Sequence, residues 1–219
     1  MLFDPSLDSL SQPDIHPVHG AQQDRGFAVG SQPILHTSYE FFLLIADATK
    51  LARLARPLAD LEIDNWKLLE NQIMQWTEVM RNNDDITADL YILVLWVLLF
   101  KSHPYLPPDE IDWEIGDFVT RSIALLPLVD RNRYFTSSLV WPLAILGSVA
   151  ILPCERLAVQ NFMSLLIATS LGGQAVWILR RLEDIWSTHS KLDSIPSFQW
   201  RTLGLQALLD GNKEMAGHD

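Results

Sequence analysis

Residues 90–100 read LYILVLWVLLF, the longest apolar run in the chain. A helix that spans a bilayer needs roughly 20 apolar residues, and this run is far shorter. Apolar side chains occupy every face of the helix that the run would form, which is typical of a helix enclosed by protein. We therefore expect a central core helix, buried on all sides, with the remaining elements packed around it.

The segments on either side of this run show the period of amphipathic helices, with apolar residues at steps of three and four. One helix is predicted from a cap at Ser38 through Ala55, and a second begins after a cap at Asp64. The inner stripe of this second helix is Trp66, Leu69, Ile73, Trp76 and Met80. Thr87 is the predicted cap of the central core helix.

The fourth predicted helix follows two prolines, where Asp109 and Asp112 resemble a capping box with Asp in place of Glu. Its expected inner stripe is Ile111, Ile115, Phe118, Ser122 and Leu125. A helix after Gly173 should bury a face formed by Val176, Leu179, Leu182 and Trp186, and a short last helix follows Pro196. Since no β-type alternation of useful length occurs, the sequence predicts an all-α fold.

Length and composition suit a single globular domain, because 219 residues with 48% apolar content are enough to bury a substantial core. Residues 1–37 are rich in proline, glycine and polar residues and are predicted to be a loose N-terminal arm. Residues 38–211 form the predicted helical domain, and residues 212–219 a polar tail.

The charge balance argues against direct contact with nucleic acid. The chain has 16 basic and 27 acidic residues, a formal net charge of −11, which repels a phosphate backbone. The single cysteine, Cys154, excludes an intramolecular disulfide and suits a reducing compartment. The N-terminus lacks the pattern of a secretory signal, so we expect a nuclear or cytoplasmic protein that does not enter a membrane.

An ordered set of residues in the second half of the chain carries a family resemblance. It consists of Leu139-Val140-Trp141-Pro142-Leu143, then Gly147, Pro153-Cys154-Glu155-Arg156 and Leu182-Glu183-Asp184-Ile185-Trp186. This order resembles the regulatory domain of fungal-specific transcription factors of the binuclear zinc-cluster class, over most of the chain from about Tyr39. The zinc cluster itself needs six cysteines, and this sequence has one.

The resemblance implies an all-α regulatory body that controls activation, often as a dimer. It supplies no catalytic residue and no ligand. We therefore expect a module that binds a small hydrophobic metabolite or a partner regulator, as a homodimer or as a heterodimer with a full-length regulator.

Pro142 admits two interpretations. If it lies inside a helix, the carbonyl of Ser138 loses its usual N–H partner and, with the indole of Trp141, could orient a mostly apolar ligand in a cavity. If the helix begins at Pro142, Trp141 is simply a core residue, and proline is readily accepted in a first turn. The second interpretation is the more common arrangement.

Glu155 and Arg156 follow Pro153 at a predicted helix start. A structural role, in which both side chains hold helix ends, competes with one in which Arg156 binds a ligand carboxylate. Cys154 is expected to be a small buried or capping residue, although a thiol at a helix start can be reactive. The candidate ligand-binding residues are Trp96, Ser138, Trp141, Arg156 and Trp177.

Neither a metal nor a cofactor is predicted. His16 and His19 stand three residues apart with acids nearby, but they lack a rigid frame and a third well-placed ligand. The sequence contains no Gly-x-Ser-x-Gly elbow and no phosphate-binding loop.

Three functions remain open from the sequence. The first is the regulatory module. The alternative is an enzyme or carrier for a hydrophobic small molecule of fungal secondary metabolism, which isomerises or cyclises it in an aromatic pocket walled by Trp96, Trp141 and Trp177 with Arg156 as anchor. The third is a scaffold whose helices only mediate association with other proteins.

Overall fold

The computed structural model describes residues 39–81, 85–129, 136–168, 172–189 and 199–211. Their helices are α1 (Tyr39–Ala52), α2 (Asp60–Arg81), α3 (Ile86–Lys101), α4 (Pro108–Leu125), α5 (Thr136–Val149), α6 (Pro153–Ile167), α7 (Gly172–His189) and α8 (Trp200–Asp210), with a 3₁₀ turn over Leu126–Leu128. These ranges contain no strand, which confirms the all-α prediction. The predicted N-terminal arm, the polar tail and the His16–His19 pair lie outside the described residues.

Helix α3 is the centre of the fold, as its apolar run predicts. It packs against α1, α2, α4 and α5. Leu90, Leu95 and Leu98 have no exposed surface, and only a few side chains of the helix, among them Trp96, keep partial exposure. The second group of helices, α5 to α8, packs mutually and meets the first group through α3 and α4.

The cap of α3 is Asp85 and not Thr87 as expected. A carboxylate oxygen of Asp85 accepts the backbone N–H groups of Thr87 at 3.0 Å and of Ala88 at 3.4 Å. Asp85 immediately precedes the first helical residue, and an acceptor there reaches the unpaired donors of the first turn. Thr87 is already inside that turn.

Helix α2 begins one turn earlier than predicted, at Asp60 instead of Asp64. The side chain of Glu62 accepts the N–H of Ala59 at 2.8 Å, which satisfies a donor just ahead of the helix. The predicted stripe is confirmed: Trp66, Leu69, Ile73 and Met80 are buried and Trp76 is half-buried. Helix α1 ends at Ala52, three residues before the predicted Ala55.

Helix α4 starts at Pro108 without a side-chain cap, so the expected capping box is wrong. Asp112 is buried, and its carboxylate interacts with an arginine of α8. A helix entered through proline lacks an N–H at that position, which reduces the need for a cap. The inner stripe holds: Ile111, Ile115, Phe118 and Ser122 are buried and Leu125 is half-buried.

Pro142 lies in the interior of α5, since the helix begins at Thr136. The interpretation in which a helix starts at Pro142 is therefore wrong. On α7, Leu182 and Trp186 are buried as predicted and Val176 and Leu179 are half-buried; Ala175, Ile178 and Ile185 complete the buried face. Across the described ranges, no helix combines the length and apolarity required to cross a bilayer.

Candidate functional site

The carbonyl freed by Pro142 is bound by the protein itself. The phenol O–H of Tyr91 on α3 donates to the carbonyl oxygen of Ser138 on α5. The Tyr91 ring also stacks on Trp141, with centroids 5.6 Å apart and an interplanar angle of 17°. Burial raises the pKa of Tyr91 to about 12, so the phenol keeps its proton as a donor. Ser138 and Trp141 thus tie α5 to the central helix.

The other predicted site residues lie in separate places. Trp96 on α3 is half-buried and stacks on Phe118 of α4, with centroids 6.2 Å apart. Arg156 on α6 donates from Nε to the carbonyl of Ala150 at 3.1 Å and covers the ring of Trp186. Trp177 on α7 is 47% exposed.

Among the described residues, the largest group of buried charged side chains joins α4, α6 and α8. Arg201 of α8 forms a bidentate pair with Glu155 of α6, with both N···O distances at 3.0 Å. The same guanidinium donates to the carbonyl of Val149 at 2.8 Å, and its Nε lies 3.8 Å from a carboxylate oxygen of Asp112. All three charged side chains are buried. We call Arg201, Glu155 and Asp112 the ionic cluster.

Glu155 also satisfies the chain entering α6. One of its carboxylate oxygens accepts the N–H groups of Ile151 at 2.9 Å and Leu152 at 3.0 Å. The helix-holding interpretation of Glu155 and Arg156 is therefore supported by direct contacts. The adjacent Cys154 is exposed, contrary to the expectation of a buried or capping residue.

Asp112 is the weakly satisfied member of the ionic cluster. Its Oδ1 is buried without a hydrogen-bond partner among the described residues. Burial raises the pKa of Asp112 to about 6, and the Glu155 carboxylate adds to the shift, while Arg201 opposes it. With one cation for two carboxylates, a proton on Asp112 makes the cluster neutral.

Sequence reasoning missed Arg201. Its partners Glu155 and Asp112 are distant in the chain, and no local spacing relates them. One available signal was position: Arg201 stands four residues before the apolar Leu205, on the side of α8 that faces the core. An arginine on such a stripe indicates a buried acidic partner.

A cavity of about 320 Å³ opens beside the ionic cluster, where the ends of α1 and α3 meet the start of α4 and α8. We call it the α3–α8 cavity. Its apolar lining residues, which we call the apolar wall, are Leu54, Ala55, Pro108, Ile111 and Leu203, and its polar lining residues are Arg56, Lys101, Gln199, Thr202 and Gln206.

Lys101 and Arg56 provide the charge of the α3–α8 cavity. Lys101 is 8% exposed, and its ammonium donates to the carbonyl of Ala52. Burial lowers the pKa of Lys101 to about 8; Arg56 adds to this shift and Asp210 opposes it. Arg56 donates from Nη2 to the carbonyl of Leu106 at 2.7 Å.

A second cavity, of about 390 Å³, lies between α1 and α2. We call it the α1–α2 groove. It is lined by Asp47, Lys50, Leu51, Leu54, Leu61, Glu62, Asn65, Leu68, Leu69 and Gln72. Leu61 and Leu68, one heptad apart on α2, are 73% and 57% exposed.

The five predicted ligand-binding residues line neither the α3–α8 cavity nor the α1–α2 groove. Ser138 and Trp141 share contacts with Tyr91, whereas Trp96, Arg156 and Trp177 contact other surroundings. The aromatic site therefore stays a prediction. Within the described ranges, no group of three His, Cys, Asp or Glu side chains could hold a metal ion.

Comparison with known proteins gives one clear result. No curated protein and no solved structure matches the chain. A sequence model of the fungal specific transcription factor domain matches residues 30–207, a range that contains seven complete helices and most of α8. Because the match spans far more than half of the sequence, the chain belongs to the family of fungal specific transcription factor domains.

Proposed function

We propose that this chain is a regulatory module of fungal transcription that senses a small molecule in the α3–α8 cavity and does not itself contact DNA. Family membership supports the regulatory role. The observation that carries the ligand-sensing part is the cavity itself, about 320 Å³, with an apolar wall and two cationic side chains. This volume and mixture of surfaces are typical of small-ligand sites.

The charge of the chain supports the absence of DNA contact. A formal net charge of −11 opposes approach to a phosphate backbone, and affinity for DNA depends mainly on cationic contacts. The module would then act in the nucleus through a regulator that supplies the DNA-binding domain.

A partner regulator is the second candidate, and the α1–α2 groove favours it. Leu61 and Leu68 expose apolar surface one heptad apart, a spacing that suits contact with another helix. The partner would be a second copy of this chain or a full-length regulator.

A reporter assay in a fungal host tests the regulatory proposal. The chain is fused to an unrelated DNA-binding and activation domain, and the same fusion without the chain is the control. We expect reporter output to change with the supply of small molecules only when the chain is present. Gel-shift measurement at low salt should detect no DNA binding by the chain alone. Equal reporter output from both fusions would contradict regulation, and DNA binding would contradict the charge argument.

A further inference from the structure

The cationic side chains of the α3–α8 cavity have more hydrogen-bond donors than partners. An ammonium has three N–H donors and a guanidinium has five. For Lys101 the described residues provide one acceptor, the carbonyl of Ala52, and for Arg56 they provide one, the carbonyl of Leu106. Lys101 is the buried one of the two, and a buried charge is costly unless an acceptor of opposite charge is present.

Carboxylates are absent from the described lining of the cavity. Its polar members other than Lys101 and Arg56 are Gln199, Thr202 and Gln206, which are neutral. Asp210 acts on Lys101 only as a nearby charge, and one of its oxygens already accepts from Gln206. The position of a counter-charge inside the cavity is therefore open to a ligand.

The apolar wall sets the rest of the ligand. Leu54, Pro108, Ile111 and Leu203 present apolar surface, and about 320 Å³ is at the small end of ligand cavities. A bare inorganic anion would leave this wall unused, whereas a neutral apolar molecule would leave the cations unpaired. A molecule with both a charge and an apolar body uses both kinds of lining residue.

From this geometry we propose that the α3–α8 cavity binds a small organic carboxylate, with the carboxylate on Lys101 and Arg56 and a short apolar body on the leucine and proline wall. This inference rests on the proposed function, because it specifies the ligand that the module would sense. Both cations come from segments that converge on the cavity, Arg56 from the α1–α2 connection and Lys101 from the last turn of α3. A bound carboxylate would therefore link the ends of these segments to α8.

The test is titration calorimetry of the full chain with hexanoate, hexanamide, acetate and inorganic phosphate. Hexanoate should bind in the millimolar range or tighter. Hexanamide lacks the charge and acetate lacks the apolar body, so each should bind at least about tenfold more weakly. Phosphate distinguishes a general anion site from a carboxylate site and should also bind at least about tenfold more weakly than hexanoate.

Variants locate the binding. Lys101→Met should weaken hexanoate binding at least about tenfold, because it removes a charged hydrogen-bond donor. Arg56→Gln alters an exposed side chain, so it tests the site independently of core packing; we expect about a threefold to tenfold loss. Lys50→Gln removes an exposed cation of the α1–α2 groove and should change nothing. Far-UV circular dichroism verifies that each variant is folded.

Several results would overturn the assignment. They are no hexanoate binding in the millimolar range, equal binding of hexanoate and hexanamide or acetate, phosphate binding as strong as hexanoate binding, or unchanged affinity in folded Lys101→Met or Arg56→Gln protein. A reporter fusion that remains regulated while hexanoate fails to bind would overturn this site and leave the regulatory function standing.

Discussion

The ionic cluster and the α3–α8 cavity are neighbours with opposite use of buried charge. In the cluster, the guanidinium of Arg201 is held by two oxygens of Glu155, the carbonyl of Val149 and the nearby Asp112. In the cavity, Lys101 is equally buried, but among the described residues a single backbone carbonyl accepts from it. Both regions include residues of α4 and α8, and Arg201 and Lys101 are buried to a similar extent. Burial alone therefore does not explain why one cation is paired and the other is not.

The difference in charge pairing assigns the two regions different roles, one in stability and one in ligand binding. A charge that carboxylates inside the protein pair, as Glu155 and Asp112 pair Arg201, holds helices in place and is less available to a ligand. A buried charge with donors left over is less useful for stability and is prepared for an acceptor from outside. The cluster is therefore the structural site, and the cavity is the site at which we place the ligand.

The largest expected loss of stability comes from removing the cation of the ionic cluster. Arg201→Met leaves the carboxylates of Glu155 and Asp112 buried without their cation, and we expect a loss of about 3 to 5 kcal/mol in the free energy of unfolding. Lys101→Met is the matched variant. It removes a buried cation that pairs with no buried carboxylate of the described ranges, and it should change stability by no more than about 1 kcal/mol. Urea unfolding followed by tryptophan fluorescence measures both. Similar losses in the two variants would contradict the comparison.

The next largest effect that we expect is the pH dependence of stability caused by Asp112 in the ionic cluster. In the folded protein the pKa of Asp112 is about 6, above its ordinary value of 3.8, so the folded state binds this proton more tightly. The resulting stabilisation is complete below pH 3.8 and is lost as the pH rises through 6. An asparagine at position 112 does not titrate, so the variant does not lose this stabilisation as the pH rises. The stability of Asp112→Asn relative to the unaltered protein should therefore rise by about 1 to 3 kcal/mol between pH 4 and 7.

Urea unfolding at several pH values provides this measurement. Asp109→Asn, on the exposed side of the same helix, is the control and should show no comparable gain. A difference between Asp112→Asn and the unaltered protein that stays constant with pH would refute the role assigned to this carboxyl.

Tight packing around Gly147 of α5 is expected to have a smaller effect on stability. A Cβ at Gly147 would lie 3.2 Å from a methyl of Val159 and closer still to Leu182, both fully buried. Overpacking outweighs the better helix propensity of alanine, so Gly147→Ala should lose about 1 to 2 kcal/mol. At Gly173 a Cβ meets nothing within 4 Å, and Gly173→Ala should gain up to about 1 kcal/mol. Thermal unfolding measures the stability of both variants. A stabilised Gly147→Ala would show that Leu182 and Val159 move to make room for the added methyl group.

The smallest effect concerns the helix interrupted by Pro142. Tyr91→Phe removes the donor to the Ser138 carbonyl but keeps the stacked ring, so we expect a loss of about 1 kcal/mol. Tyr105→Phe, at an exposed tyrosine, should be neutral. Equal stabilities of both variants in urea unfolding would mean that water or another group replaces the phenol.

The helices were largely predictable because their signals are local. The apolar run of α3 and the stripe of α2 follow from side-chain periodicity, and both are confirmed. Helix starts were less predictable, because caps were expected at Asp64 and Thr87. Instead, Glu62 accepts the N–H just ahead of α2, and Asp85 accepts donors of the first turn of α3. Several acceptors near a helix start compete at similar energy, and the surrounding chain decides among them.

The candidate site was not predictable in the same way. Tryptophans were the leading candidates for a ligand site in the sequence. In the structure, Trp66 and Trp186 instead donate their indole N–H groups to the core carbonyls of Leu99 and Gly147. The residues of the α3–α8 cavity carry no motif. Arg56 and Lys101 are 45 positions apart in the sequence, and only the packed helices place them on one cavity.

By itself, the sequence determined the all-α class, the buried central helix and the family, because hydrophobic periodicity and residue order are properties of the chain. Tertiary structure alone decided which buried charges are paired. Arg201 of α8 meets Asp112 of α4 and Glu155 at the start of α6. For the buried Lys101, the described lining of the α3–α8 cavity contains no carboxylate. Pairing of charges depends on distances of a few ångströms between remote segments, and those distances exist only once the core has formed.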